Sequence, residues 1–140
     1  MKITRRETLM LALGAAAAAL IPSNVFAAAS YEDAVAGFTG GASVGEGGIT
    51  LIAPEIAENG NTVPIEVIAP GAVAITVFAE KNPSPEVVSF KFGPLSGSQR
   101  GATRIRLSGT QNVVAIAQMA DGSFVSASQE VKVTIGGCGG

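Results

Sequence analysis

Cys138 is the single cysteine of the 140-residue chain, and it stands in the run Gly136-Gly137-Cys138-Gly139-Gly140. A lone thiol does three kinds of chemistry: disulfide exchange, oxidation, and covalent capture of another sulfur. The four glycines lack Cβ atoms, so they leave the sulfur unshielded and the backbone free to turn. From Ile135, three residues extend roughly 10 Å, far enough to carry the thiol off the body of a domain. No Lys, Arg or helix start lies beside Cys138 in sequence. Its expected pKa is therefore near the ordinary thiol value of about 8.5, with only a few per cent thiolate at pH 7. Such a sulfur suits a passive attachment point served by other catalysts, not a self-contained catalyst.

The rest of the composition excludes much else. The chain has no histidine, so the commonest general base and metal ligand is missing. One cysteine builds neither an internal disulfide nor a structural zinc site. The glycine-rich stretch "GFTGGASVGEGG" lacks the Lys-Ser/Thr ending of a phosphate-cradling loop. Glu32-Asp33 and Glu55/Glu58 are the conceivable acid–base pairs, and their spacing builds no cleft. Arg104 and Arg106 alternate on one strand face, read as solvated charges ahead of an anion contact. A thiol oxidoreductase is disfavoured, because no Cys-x-x-Cys pair exists. No cofactor is expected.

The other end of the chain sets the compartment. In residues 1–29, Lys2, Arg5 and Arg6 precede an apolar run from Leu9 to Ile21, and small residues follow at Ala27 to Ala29. That is the layout of an export signal, and 13 apolar residues are too few to span a bilayer as a helix. "TRRETLM" loosely matches the twin-arginine motif through Arg5 and Arg6; the general secretory route remains the alternative. Either places the mature protein outside the bacterial cytoplasm, in the periplasm. Loss of Lys2, Arg5, Arg6 and Glu7 leaves 6 basic and 10 acidic groups, a net charge of −4. That balance argues against nucleic acid as a partner.

The elements that must hold the tail occupy residues 30–135. Tyr31 to Ala36 reads as a short helix broken by Gly37, Gly40 and Gly41, followed by a loop lying on the domain. Pro54 to Asn61 reads as a single helical turn. From Ile49 onward about eight short β-rich runs follow, with turns every 8–12 residues. Val63, Ile65 and Val67 alternate against Pro64, Glu66 and Ile68. Val73, Ile75 and Val77 share a face, as do Val88, Phe90 and Phe92. Ile105 and Leu107 oppose Arg104 and Arg106. "NVVAIAQM" is more uniformly apolar and reads as a central strand. Asp121-Gly122 marks a hairpin into "SFVSASQ" and "EVKVTI". The pattern predicts an all-β, immunoglobulin-like antiparallel β-sandwich with a short N-terminal helix and a flexible C-terminal carrier arm at 136–140; a small closed barrel is the alternative.

The tail, with "APEIAENGNTVP", "VFAEKNPSPEVVSFKFGP", "TRIRL" and "VVAIAQMADGSF", resembles the SoxY family, the sulfur-carrier subunits of bacterial thiosulfate oxidation. The resemblance covers essentially the whole mature chain. It implies a non-enzymatic carrier paired with the immunoglobulin-like subunit SoxZ as a heterodimer. Cys138 would be the covalent attachment point, with Gly136, Gly137, Gly139 and Gly140 as its arm. Transient partners would be the c-type cytochrome SoxAX, the sulfate-releasing hydrolase SoxB and, where present, the sulfane dehydrogenase SoxCD. From the residues themselves, an exported interaction module forming an intermolecular disulfide through Cys138 stays open.

Overall fold

A computed structural model describes residues 29–135. One helix, α1 (Tyr31–Thr39), precedes nine strands: β1 (Val44–Glu46), β2 (Thr50–Ile52), β3 (Ile56–Ala57), β4 (Val63–Ile68), β5 (Ala72–Ala79), β6 (Glu86–Lys91), β7 (Arg100–Ile105), β8 (Gln111–Met119) and β9 (Phe124–Val133). They form two sheets. The larger runs β1-β9-β8-β5-β6, with β3 also against β9; the smaller runs β2-β4-β7. The long pairings are antiparallel, while the short β1 and β3 lie parallel to β9. This is the expected sandwich.

Alternation explains the core. Val63, Ile65 and Val67 of β4 point inward with Ile105 and Leu107, and they meet Ile75, Val77, Val113, Ala115 and Val131 from the larger sheet. β8, with its apolar run Val113–Ala117, is central because both of its faces are covered. Val113, Ala115 and Ala117 fill the sandwich, and Val114 and Ile116 lie under the helix with Phe78 and Phe124. Val73 does not join Ile75 and Val77. An irregularity between Ala72 and Ala74 shifts the register there and leaves Val73 41% exposed.

The helix is longer than its glycines foretold. Ser30 caps it, its Oγ accepting from the Asp33 N–H at 3.2 Å, and Glu32 and Asp33 sit where the helix dipole favours acids. Tyr31, Ala34, Val35 and Phe38 then recur at helical spacing and pack onto the second apolar cluster. Gly37 costs only about 1 kcal/mol inside a helix, and burying Phe38 one residue later outweighs it. The helix stops at Gly40, whose φ of 66° is left-handed and whose N–H reaches the Ala36 carbonyl.

Two further segments differ from expectation. Pro54 to Asn61 makes no helical turn; Ile56 and Ala57 pair with Lys132 and Val133, because a strand edge there satisfies more backbone groups than an isolated turn would. The two runs after Asp121-Gly122 form one continuous β9, long enough to hold β1 and β3 on the same edge. Pro64 fits because β2 pairs only with residues 66–68, so β4 has a single neighbour at Pro64.

Gly101 marks a close approach between the two sheets. A Cβ there would lie 2.6 Å from the Phe90 ring. Gly101→Ala is expected to destabilise by roughly 1–3 kcal/mol through overpacking. Urea unfolding measures it, and pairing it with Phe90→Leu should recover part of the loss.

The β8–β9 turn carries a pH dependence. The Asp121 carboxylate accepts from Ser123 Oγ at 2.6 Å and from its N–H at 2.9 Å. These bonds, the hydroxyl's first, hold its pKa below the usual value. Glu66 is lowered likewise, chiefly by the hydrogen bond from Arg100. Both pKa values are depressed on folding, so the stabilisation is present above the unfolded carboxylate range of about 4 and is lost as pH falls through the folded values. The thermal midpoint should drop on acidification below about pH 4, and Asp121→Asn should flatten part of that drop.

Candidate functional site at the root of the tail

Every sequence-predicted site residue lies outside the described residues: Cys138, Gly136, Gly137, Gly139 and Gly140 at one end, Arg5 and Arg6 at the other. The structure instead shows what those last five residues hang from. The end of β9 is held residue by residue. The Lys132 N–H donates to the Glu55 carbonyl at 2.9 Å, and the Thr134 N–H to that of Ala57 at 3.1 Å. The Val133 N–H reaches Thr110 Oγ1, and Thr134 Oγ1 donates to the Glu58 carbonyl. Finally the Gly60 N–H donates to the Ile135 carbonyl at 2.8 Å. The body grips the chain up to the last residue before the glycines, so the root of the tail is fixed.

The grip is itself supported. The Gly60 carbonyl accepts from the Leu107 N–H at 2.8 Å. Beyond Leu107 lies a polar network built on Asn82 and Gln111. Gln111 is 2% exposed, yet its side chain is satisfied: Oε1 accepts from the Lys81 N–H, and Nε2 donates to Asn82 Oδ1 and the Gly109 carbonyl. Asn82 Nδ2 donates to the Arg106 carbonyl at 2.7 Å, and its Oδ1 also accepts from the Ser108 N–H. No buried side-chain polar atom is left unpaired among the described residues. With Gln111 buried and its side-chain hydrogen bonds made, this part-buried network favours one arrangement around that residue. Sequence reading missed it because Asn82 and Gln111 are 29 positions apart and look like ordinary loop and strand-end residues.

Among the residues weighed as acid–base pairs, Asp33 through its carboxylate accepts from Ser30 Oγ at the helix cap, and Glu55 and Glu58 give their backbone carbonyls to β9. Tyr31 has its pKa raised, first by burial and then by the charges of Glu80 and Glu32, so its phenol stays protonated at neutral pH. Among the described residues the one ion pair joins Arg100 to Glu66, at 2.7 Å. Arg104 makes only a 3.3 Å contact to Thr62 Oγ1, and both Arg104 and Arg106 are exposed. No group of three or more potential metal ligands occurs among the described residues, and no described helix is long and apolar enough to cross a membrane.

The described residues thus form an immunoglobulin-like sandwich whose last strand is anchored up to Ile135, immediately before the cysteine-bearing tail of the sequence. Comparison with known proteins identifies its family. The chain belongs to the SoxY family: the description "Sulfur oxidation protein SoxY" matches residues 35–138, ending on Cys138 itself. It is 40% identical to the sulfur carrier protein SoxY from Chlorobium limicola f thiosulfatophilum, with a TM-score of 0.65, covering 74% of this chain and 96% of that one. A superoxide reductase (neelaredoxin) from Ignicoccus hospitalis, 17% identical with a TM-score of 0.54 over 62% of this chain and 80% of its own, shares the fold alone. So does a putative superoxide reductase from Thermotoga maritima, at 19% identity and a TM-score of 0.52, covering 61% and 84%. No curated protein sequence matches.

Proposed function

We propose that this protein is a carrier of sulfur intermediates in thiosulfate oxidation, not an enzyme, holding them covalently on Cys138 and presenting them to partner enzymes. The single observation that carries the reading is the family match, which runs through the sandwich and ends on the cysteine. The anchored Ile135 supports it, since a presented group needs a fixed origin.

The chemistry follows from sulfur redox. Joining the Cys138 thiol to the outer sulfur of thiosulfate forms an S–S bond, releases one proton and gives up two electrons, which the c-type cytochrome SoxAX takes. Water then cleaves the terminal S–S bond, releasing sulfate and leaving a persulfide on Cys138; SoxB serves that step. SoxCD, where present, oxidises the remaining sulfur. On this reading the thiol needs no activating base of its own, because the partner enzymes supply the chemistry. SoxZ is the proposed heterodimer partner. The proposed route out of the cytoplasm uses Arg5 and Arg6 in residues 1–29, giving a periplasmic protein.

Intact mass measurement of the protein from cells grown on thiosulfate tests the reading. Reducible sulfur, thiosulfonate or sulfonate additions on the C-terminal peptide are expected. Finding only a disulfide-linked dimer would instead favour an interaction module.

A further inference from the structure

An open cleft of about 500 Å³ lies between the end of β7 and the start of β6, with Arg104 and Arg106 on one wall and Asn82 and Glu86 on the other. We propose that this cleft docks the negatively charged cargo carried on Cys138 of the same chain. The proposal rests on the carrier reading and adds to it a resting place for the loaded sulfur.

Three observations converge on it. First, position. Arg106 adjoins Leu107, whose N–H meets the Gly60 carbonyl, and the Gly60 N–H meets the Ile135 carbonyl. Two backbone hydrogen bonds, each spanning about 5 Å between chains, therefore separate the root of the tail from Leu107, the neighbour of the cleft-lining Arg106. The three residues from Ile135 to Cys138 reach about 10 Å, the same span.

Second, charge. The chain left after residues 1–29 carries a net charge of −4, which repels an anion in general. Here two arginines face one carboxylate, Glu86, and neither arginine has an ion-pair partner among the described residues. Guanidinium forks match the oxygens of a terminal sulfonate group as they match phosphate.

Third, rigidity. Asn82 lines the cleft and also holds the Arg106 carbonyl, so the network that fixes the root fixes the cleft. The contact would depend on cargo: hydrolytic loss of the sulfonate as sulfate removes the oxygens that the forks grip, and the tail is released.

The test loads the purified protein in vitro, independently of any cellular pathway. The Cys138 thiolate attacks tetrathionate at a central sulfur, forming the S-thiosulfonate and expelling thiosulfate. Iodoacetamide supplies a neutral adduct for comparison. NMR then follows the Nε–H resonances of Arg104 and Arg106, with mass spectrometry confirming each adduct. Both resonances should shift in the thiosulfonate form only, and the shifts should vanish at high salt. Release of the cargo by dithiothreitol should be about threefold or more faster in Arg104→Gln/Arg106→Gln, the size expected of two exposed ion pairs. Unmoved arginine resonances in fully loaded protein, or equal shifts with the neutral adduct, would overturn the docking. Neither result touches the carrier reading, which stands or falls on the adducts found in cells.

Discussion

Replacing Cys138 with serine should remove thiosulfate-dependent electron transfer to background while leaving the fold unchanged. The reason is chemical. A serine hydroxyl ionises far above a thiol and forms no bond to sulfur that a second thiol or an oxidase can reverse. The reason for the unchanged fold is that the sandwich core is complete within residues 49–131, and the hydrogen bonds at the root end on Ile135. A reconstituted assay with the partner enzymes reads the loss as absent cytochrome reduction, and thermal unfolding checks the fold. Turnover retained by Cys138→Ser would remove the attachment point from the reading altogether.

Phe78→Ala should be the most damaging change in the body, costing about 3–5 kcal/mol. Phe78 is fully buried between the larger sheet and α1. The Tyr31 ring meets it edge-on at 6.2 Å and 83°, and Phe38 lies at 6.2 Å on the same helix face. Removing it leaves a cavity and takes away the surface on which the helix rests. Against a typical domain stability of about 5–15 kcal/mol, that loss lowers the urea midpoint severely and loosens the helix first. The chain contains one tyrosine and no tryptophan, so Tyr31 emission reports the helix directly. A small shift in midpoint with unchanged Tyr31 emission would show that the helix is held elsewhere.

The sandwich was legible because its strands alternate. Ile65 against Glu66, and Ile105 against Arg104, announce one wet face and one dry face, and the apolar run Val113–Ala117 of β8 announces burial on both. Cys138 stands out in the sequence because a lone cysteine among four glycines has no packing purpose, and it lies outside the described residues. What the sequence hid depends on three-dimensional adjacency. β3 exists only because β9 is there to pair with it, and two residues such as Ile56 and Ala57 carry no period. Gly37 looked like a stop because the reward for continuing, Phe38 against Phe78 and Phe124, is a tertiary contact. The clamp at Gly60 and the Asn82–Gln111 network join loops far apart in the chain.

The fixed hydrogen bond between Gly60 and Ile135 has a kinetic meaning. On the proposed carrier reading, a sulfur held three residues beyond Ile135 would stay within about 10 Å of that fixed end. A partner enzyme settled over that end would then meet the proposed bound sulfur at an effective concentration of millimolar order or more, however dilute the protein. On that reading, encounter between proteins and not supply of substrate would set the pace. Fraying β9 by a few residues would widen the sulfur's reach and thin out what each visiting enzyme sees.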